Sequence, residues 1–239
     1  MKKIIQLFLF VLPIAILPAL TSCSKKSMSS IPTPTPIPTS PAAKTYLALG
    51  DSYTIGQAVS EADRYSHHTV LLLRAQNITI DEPRIIATTG WTTKNLLDAL
   101  NSTSLPTNYD VVSLLIGVNN QYQGRSIEEY KTEFTVLVNR AIQYANNRPS
   151  HVFVLSIPDY SKTPFAQTLD AAKISKEIDE LNAANKAISL QLGVNYLDIT
   201  PISRESDPEL LSGDGLHPSG KQYKRWAELL APMMQAVLK

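Results

Sequence analysis

Five short apolar runs recur along the chain: "TYLALG" at 45–50, "RIIATTG" at 84–90, "DVVSLLIG" at 110–117, "HVFVLSI" at 151–157 and "GVNYLDI" at 193–199. Most are rich in Val, Ile and Leu with little two-residue alternation, the pattern of strands covered on both faces. Between them the apolar spacing becomes helical. Ile127, Tyr130, Phe134, Leu137, Ala141 and Tyr144 share one helix face, and Ser126-Ile127-Glu128-Glu129 reads as the capping box that opens it. Ile174, Ile178, Leu181, Ile188 and Leu192 form a second stripe. "RYSHHTVLLLRAQ" reads as another helix, and a last one runs from about Lys221 to Val237, capped by Ser219 with Gln222 three residues on. Strand and helix in repeated alternation predict an α/β domain: a three-layer α/β/α sandwich around a five-stranded parallel sheet. Ligands in such sheets bind beyond the carboxyl ends of the strands.

The N-terminal residues follow a different pattern. Met1-Lys2-Lys3 is basic, Ile4 to Leu20 is almost wholly apolar, and "LTSC" ends at Cys23. This layout predicts an export signal over residues 1–22, and Pro13 and Pro18 argue against a membrane-spanning helix there. With a cysteine at the cleavage point, the segment resembles a bacterial lipobox. That resemblance implies a lipoprotein signal peptide and a diacylglyceryl-modified Cys23. The stretch "SKKSMSSIPTPTPIPTSPAA" (24–43) cannot build a core and reads as an extended tether. Residues 44–239 are then expected as one folded domain, acting as a monomer and anchored by its N-terminal lipid to a membrane of a bacterial cell envelope. Cys23 is the single cysteine, which excludes a disulfide within the chain and any cysteine-pair redox or metal site.

Charge narrows the function further. Without residues 1–22, which hold Lys2 and Lys3, the chain carries 20 basic and 21 acidic side chains. A balance of this kind offers nucleic acid no electrostatic footprint. The sequence contains no P-loop, no G-x-G-x-x-G and no H-E-x-x-H. No cofactor and no metal are expected.

The polar residues gather where the strands end. The first run stops at Gly50-Asp51-Ser52, the second leads into "TTGWTT" with Gly90, and the third into "GVNN" with Asn119 and Asn120. Beyond the fifth, "DGLHPSG" carries Asp214 and His217 just before the last helix. A serine hydroxyl needs a base to become a nucleophile, and histidine suits neutral pH. A carboxylate on the other ring nitrogen fixes the tautomer. Asp214 and His217 are close enough for one turn to make that contact. Attack on an ester carbonyl generates an oxyanion, and the N–H groups of Ser52 and Gly90 and the side-chain amide of Asn119 are candidate donors. Asp51 is expected to turn back onto its own loop. Arg64, Tyr160 and Phe165 are candidates for the cleft wall.

These four blocks, "GDSYT", the Gly of "TTGWTT", "GVNN" and "DGLHP", resemble in order and separation those of the SGNH/GDSL hydrolase family. The resemblance spans the domain from Thr45 to the last helix. It implies a flavodoxin-like SGNH fold, with Ser52, Asp214 and His217 catalytic and Ser52, Gly90 and Asn119 forming an oxyanion hole. It also implies a serine esterase cleaving carboxylic or thio esters through an acyl-enzyme, in the manner of lipases and lysophospholipases. Two departures stand out: Tyr53 occupies a position commonly Leu, and Asn120 one commonly Asp. An acyltransferase or deacetylase working on sugar or cell-wall hydroxyls would use the same residues. A tethered binding protein would need the rim but not all three of Ser, Asp and His. The α/β-hydrolase elbow G-x-S-x-G is absent, and His67, His68 and His151 lack a placement on the rim.

Overall fold

The computed structural model describes residues 42–239. The expected signal peptide, Cys23 and nearly all of the tether lie outside the described residues. Five strands form one sheet: β1 (Tyr46–Gly50), β2 (Arg84–Ala87), β3 (Val111–Leu115), β4 (Val152–Leu155) and β5 (Asn195–Leu197). Their order is β2-β1-β3-β4-β5, and every pairing is parallel. All five predicted runs are strands, each trimmed by a few residues at its ends.

Burial follows sheet position. β1, β3 and β4 are buried along their whole length, whereas the edge strands β2 and β5 are partly open. Central strands of a parallel sheet are covered on both faces, which is why their sequences lack alternation. The main helices are α2 (Tyr65–Ala75), α3 (Thr93–Ser102), α5 (Ile127–Tyr144), α6 (Ala171–Gln191) and α8 (Gly220–Leu238); α1 (Ser52–Ile55), α4 (Val118–Tyr122) and α7 (Thr200–Ser203) are single turns. α2 packs against α8, while α3, α5 and α6 pack in succession, giving the three-layer α/β/α sandwich. Both predicted stripes face the core, with Tyr130, Phe134, Leu137 and Ala141 of α5 fully buried. Truncating a buried aromatic such as Phe134 would cost about 3–5 kcal/mol.

One local expectation needs correction, and one helix had none. Ser126 Oγ accepts from Glu129 N at 3.1 Å, but the Glu129 carboxylate pairs with Arg125 instead of returning to the cap. The charge partner one position before the cap outcompetes the reciprocal bond. α3 was not specified by apolar spacing; it opens on a capping box of Thr92 with Asn95, whose amide oxygen accepts from the Thr92 N–H.

The strand order reverses direction after β2: from β1 the chain moves to one side, then returns across it to β3. The carboxyl ends of β1 and β3 therefore flank a topological switch point, the usual ligand crevice of an open α/β sheet. Beneath it lies a chain of buried hydroxyls. Tyr46 and Tyr65 both reach Ser113 Oγ, at 2.8 and 3.1 Å, and Tyr65 also meets Thr54 of α1 at 3.5 Å. These bonds tie the turn after β1 to the middle of β3.

Candidate active site

β1 ends on Gly50 for a steric reason. A Cβ there would lie 2.3 Å from the Leu115 carbonyl oxygen and 2.1 Å from Thr54 Oγ1. The bare backbone lets β1 and β3 approach closely as the chain turns into α1. Asp51 caps that turn: Tyr53 N–H donates to Asp51 Oδ1 at 3.0 Å, as expected of a residue folded back on its loop. Burial pushes the Asp51 carboxyl up to about 7, against the N–H groups of Tyr53, Gly117 and Asp51 itself, which favour the charged form. Ser52 is the first residue of α1 and is buried. Its N–H is one of the donors that a helix start leaves without an intrahelical partner.

Asp214 and His217 sit in a tight loop closed by an antiparallel bridge between Leu211 and Pro218 and by Ser212 N–H donating to His217 O at 2.8 Å. His217 Nδ1 lies 2.6 Å from Asp214 Oδ2. The other oxygen, Oδ1, accepts from Ser212 Oγ at 2.8 Å, His217 N at 2.9 Å and Leu216 N at 3.0 Å. Partial burial raises the Asp214 carboxyl, but the His217 N–H and ring, the Leu216 N–H and the Ser212 hydroxyl outweigh it and hold the group well below the usual carboxylate range. The carboxylate thus stays ionised and fixes the imidazole with Nδ1 inward.

Ser52, Gly90, Asn119 and His217 line a single cavity of about 160 Å³. Four of the five predicted site residues meet there, and Asp214 stands behind His217. No hydrogen bond joins Ser52 Oγ to His217 Nε2 among the described residues. In ligand-free sites this bond is often long and tightens with substrate. Gly90 has φ +83°, and a Cβ on it would meet nothing within 4 Å, so its backbone borders open space. Asn119 Nδ2 donates to Trp91 O at 2.9 Å. A carbonyl can only accept, so this bond orients the amide and leaves the second Nδ2 hydrogen free.

Asn120 braces the loop beside Asn119. It is buried, its Oδ1 accepts from Thr93 N at 3.0 Å, and its Nδ2 donates to Thr93 Oγ1 at 2.6 Å. Thr93 Oγ1 in turn donates to Glu133 Oε2 at 2.5 Å. Of the other candidates, Tyr160 and Phe165 line the cavity. Arg64 does not: its side chain crosses Gly56 and pairs with Glu61 at 3.1 Å. Tyr53, one of the two departures from the family pattern, packs edge-on against the His217 ring at 5.8 Å and against Trp226 at 6.3 Å. Tyr122 and Leu216 also line the cavity and carried no sequence signal. Among the described residues no group of three or more His, Cys, Asp or Glu side chains is placed to hold a metal ion.

Comparison with known proteins bears on this arrangement. The family model of GDSL-like lipases/acylhydrolases matches residues 48–225. A search of curated proteins found no match. Among solved structures, TesA is 15% identical with a TM-score of 0.65, covering 81% of this chain and 99% of its own. A variant of Axe2, an acetyl xylan esterase from Geobacillus stearothermophilus, is 17% identical with a TM-score of 0.61, covering 81% and 95%. The lipase/acylhydrolase from Enterococcus faecalis is 20% identical with a TM-score of 0.59, covering 80% and 96%. These likenesses establish the same α/β fold, and the family match spans most of the domain, including all four rim blocks. The chain therefore belongs to the GDSL-like lipase/acylhydrolase family, a family of hydrolases with the SGNH fold.

Proposed function

We propose that this protein hydrolyses carboxylic esters through an acyl-enzyme on Ser52. The observation that carries the reading is the pairing of His217 Nδ1 with Asp214 at 2.6 Å while the same ring lines one cavity with Ser52, Gly90 and Asn119. In the first half-reaction Ser52 Oγ bonds to the acyl carbon and its proton passes to His217 Nε2. The carbonyl oxygen gains the electron pair and is held by the N–H groups of Ser52 and Gly90 and the free Nδ2 hydrogen of Asn119. Collapse of this intermediate breaks the bond to the alcohol oxygen, which leaves with the proton from His217. Water then repeats the sequence, releasing the acid and restoring Ser52.

Electrostatic economy supports these roles. Asp214 is already ionised, so the imidazolium formed in each step meets a fixed negative charge without a further proton transfer. Each oxyanion donor is worth about 3 kcal/mol of barrier when preorganised, and the Asn119 amide is held in place by Trp91 O before substrate arrives. The test is Ser52→Ala with p-nitrophenyl butyrate. Turnover and labelling by a fluorophosphonate probe are both expected to vanish while the thermal transition is preserved; persistent turnover would place the nucleophile elsewhere.

A further inference from the structure

The reading above leaves three aromatic side chains of the cavity without a task. Tyr122, Tyr160 and Phe165 line it together, with ring centroids 5.9 Å apart for Tyr122–Phe165, 6.2 Å for Tyr160–Phe165 and 6.5 Å for Tyr122–Tyr160. Tyr160 is 4% exposed, but Tyr122 is 57% and Phe165 42% exposed. Two large rings held open to water at the mouth of a cavity are more than a core requires. The wall is also built to stay in place. Tyr160 Oη donates to Gln121 Oε1 at 2.7 Å, and Gln121 Nε2 donates to Glu177 of α6 at 2.8 Å. Phe165 N–H donates to Gly215 O at 3.1 Å, which fastens the wall to the loop carrying Asp214 and His217.

Size and charge restrict what this wall can meet. An engineered apolar protein cavity of about 150 Å³ holds a molecule the size of benzene. The present cavity, about 160 Å³ and open at the side of Tyr122 and Phe165, is of similar size, so a short acyl group at Ser52 fills much of it. The remainder of the substrate must lie at the mouth, across Tyr122 and Phe165. Among the described residues lining the cavity, His217 is the one basic side chain, and none is a Lys or Arg that could pair with a phosphate or carboxylate. The partner surface is thus neutral. Aromatic faces carry negative charge density and attract positively polarised edges, and the C–H face of a sugar ring offers such an edge together with neutral hydroxyls that remain in water.

We infer that Tyr122 and Phe165 form the subsite for the alcohol half of the substrate, and that this half is a neutral pyranose bearing a short acyl ester. The inference rests on the esterase reading, and one experiment separates the two. Initial rates are measured by pH-stat on the full chain with an acetylated methyl glucoside, ethyl acetate and ethyl octanoate. The wild type is expected to favour the sugar acetate over ethyl acetate. Tyr122→Ala and Phe165→Ala are each expected to lower the ratio of their kcat/KM values about tenfold through KM, the loss of one stacked ring. Tyr122→Phe and Phe165→Tyr should restore the ratio, which a merely structural defect would not allow. A ratio unmoved by either alanine variant overturns the inference, and so does a wild-type preference for ethyl octanoate that Tyr122→Ala abolishes, since that gives the wall to the acyl chain. Failure of the wild type on all three esters, by contrast, overturns the esterase reading itself.

Discussion

The chain Asn120–Thr93–Glu133 makes a prediction about why an amide stands where the family commonly has a carboxylate. The Thr93 hydroxyl has one hydrogen, which it gives to Glu133, and it accepts a hydrogen from Asn120 Nδ2. Asn120→Asp removes that donor and sets two carboxylates around a hydroxyl that can serve only one of them. Bonds of 2.6 and 2.5 Å end to end keep the two charged groups within about 5 Å of each other. At an effective dielectric near 20 the repulsion is about 3 kcal/mol. Glu133 is only half-buried, so screening reduces this to about 2 kcal/mol, and the lost hydrogen bond adds about 1 kcal/mol. Asn120→Asp is therefore expected to lose about 3 kcal/mol, or to melt about 6–12 °C lower at this chain length.

Urea unfolding at pH 8 reads the loss, and pH gives its sign. The new carboxyl would have a raised pKa in the folded state, so the folded chain binds the extra proton more readily than the unfolded one. The deficit relative to wild type should be full above the folded pKa, shrink as pH falls from there, and be gone below about 4, the unfolded value. Glu133→Gln supplies the rescue. In the double variant Asn120→Asp/Glu133→Gln, the hydroxyl can donate to Asp at 120 while the new amide at 133 donates to it, which reverses the chain without leaving a group unpaired. The double variant should recover about 2 kcal/mol. A single variant as stable as wild type at pH 8, or a double variant no better than the single, would refute the account.

Three further outcomes follow from the site. Asn119→Ala should lower kcat by about 10²–10³ with KM little changed, since the amide bonds to charge that exists only in the transition state; a loss under threefold would remove it from the oxyanion hole. Asp214→Asn keeps the acceptor for the Leu216 and His217 N–H groups but loses the fixed charge, so kcat should fall about 10²–10⁴ with the fold retained; a drop below tenfold would contradict its orienting role. Asp51 binds a proton more readily folded than unfolded, so its contribution weakens stability as pH rises from about 4 to about 7, by about 4 kcal/mol in all. Asp51→Asn should flatten that part of the urea-midpoint profile, and parallel profiles for the two proteins would count against a buried protonatable carboxyl.

Much of this molecule is readable from its sequence because the decisive features are local. The strand runs and the spacing of α5 and α6 are set by which residues can be covered, and the four rim blocks lie where strands end. Once the alternation of strand and helix predicts a parallel sheet, the placement of Ser52, Gly90, Asn119 and His217 on one edge follows from the crevice rule. The Asp214–His217 contact is likewise local, being the closure of one loop.

The misses are contacts that one-residue-at-a-time reading does not supply, some within a loop and some between distant segments. Arg64, a candidate for the cleft wall, instead packs across Gly56, where the absence of a side chain leaves room for it. Tyr53 is uninformative as one letter in a motif; its function depends on His217 and Trp226, each more than 160 positions away. The same holds for Asn120, whose amide is needed only because Glu133, on a helix reached later in the chain, already claims the Thr93 hydroxyl. A motif thus specifies which backbone positions surround the reacting atoms. The side chains that steady them, and those that meet the rest of the substrate, are chosen by neighbours that only the folded chain brings together. The departures from the family pattern at Tyr53 and Asn120 are therefore matched by compensating contacts, and the variants at Asn120 and Glu133 test that compensation directly.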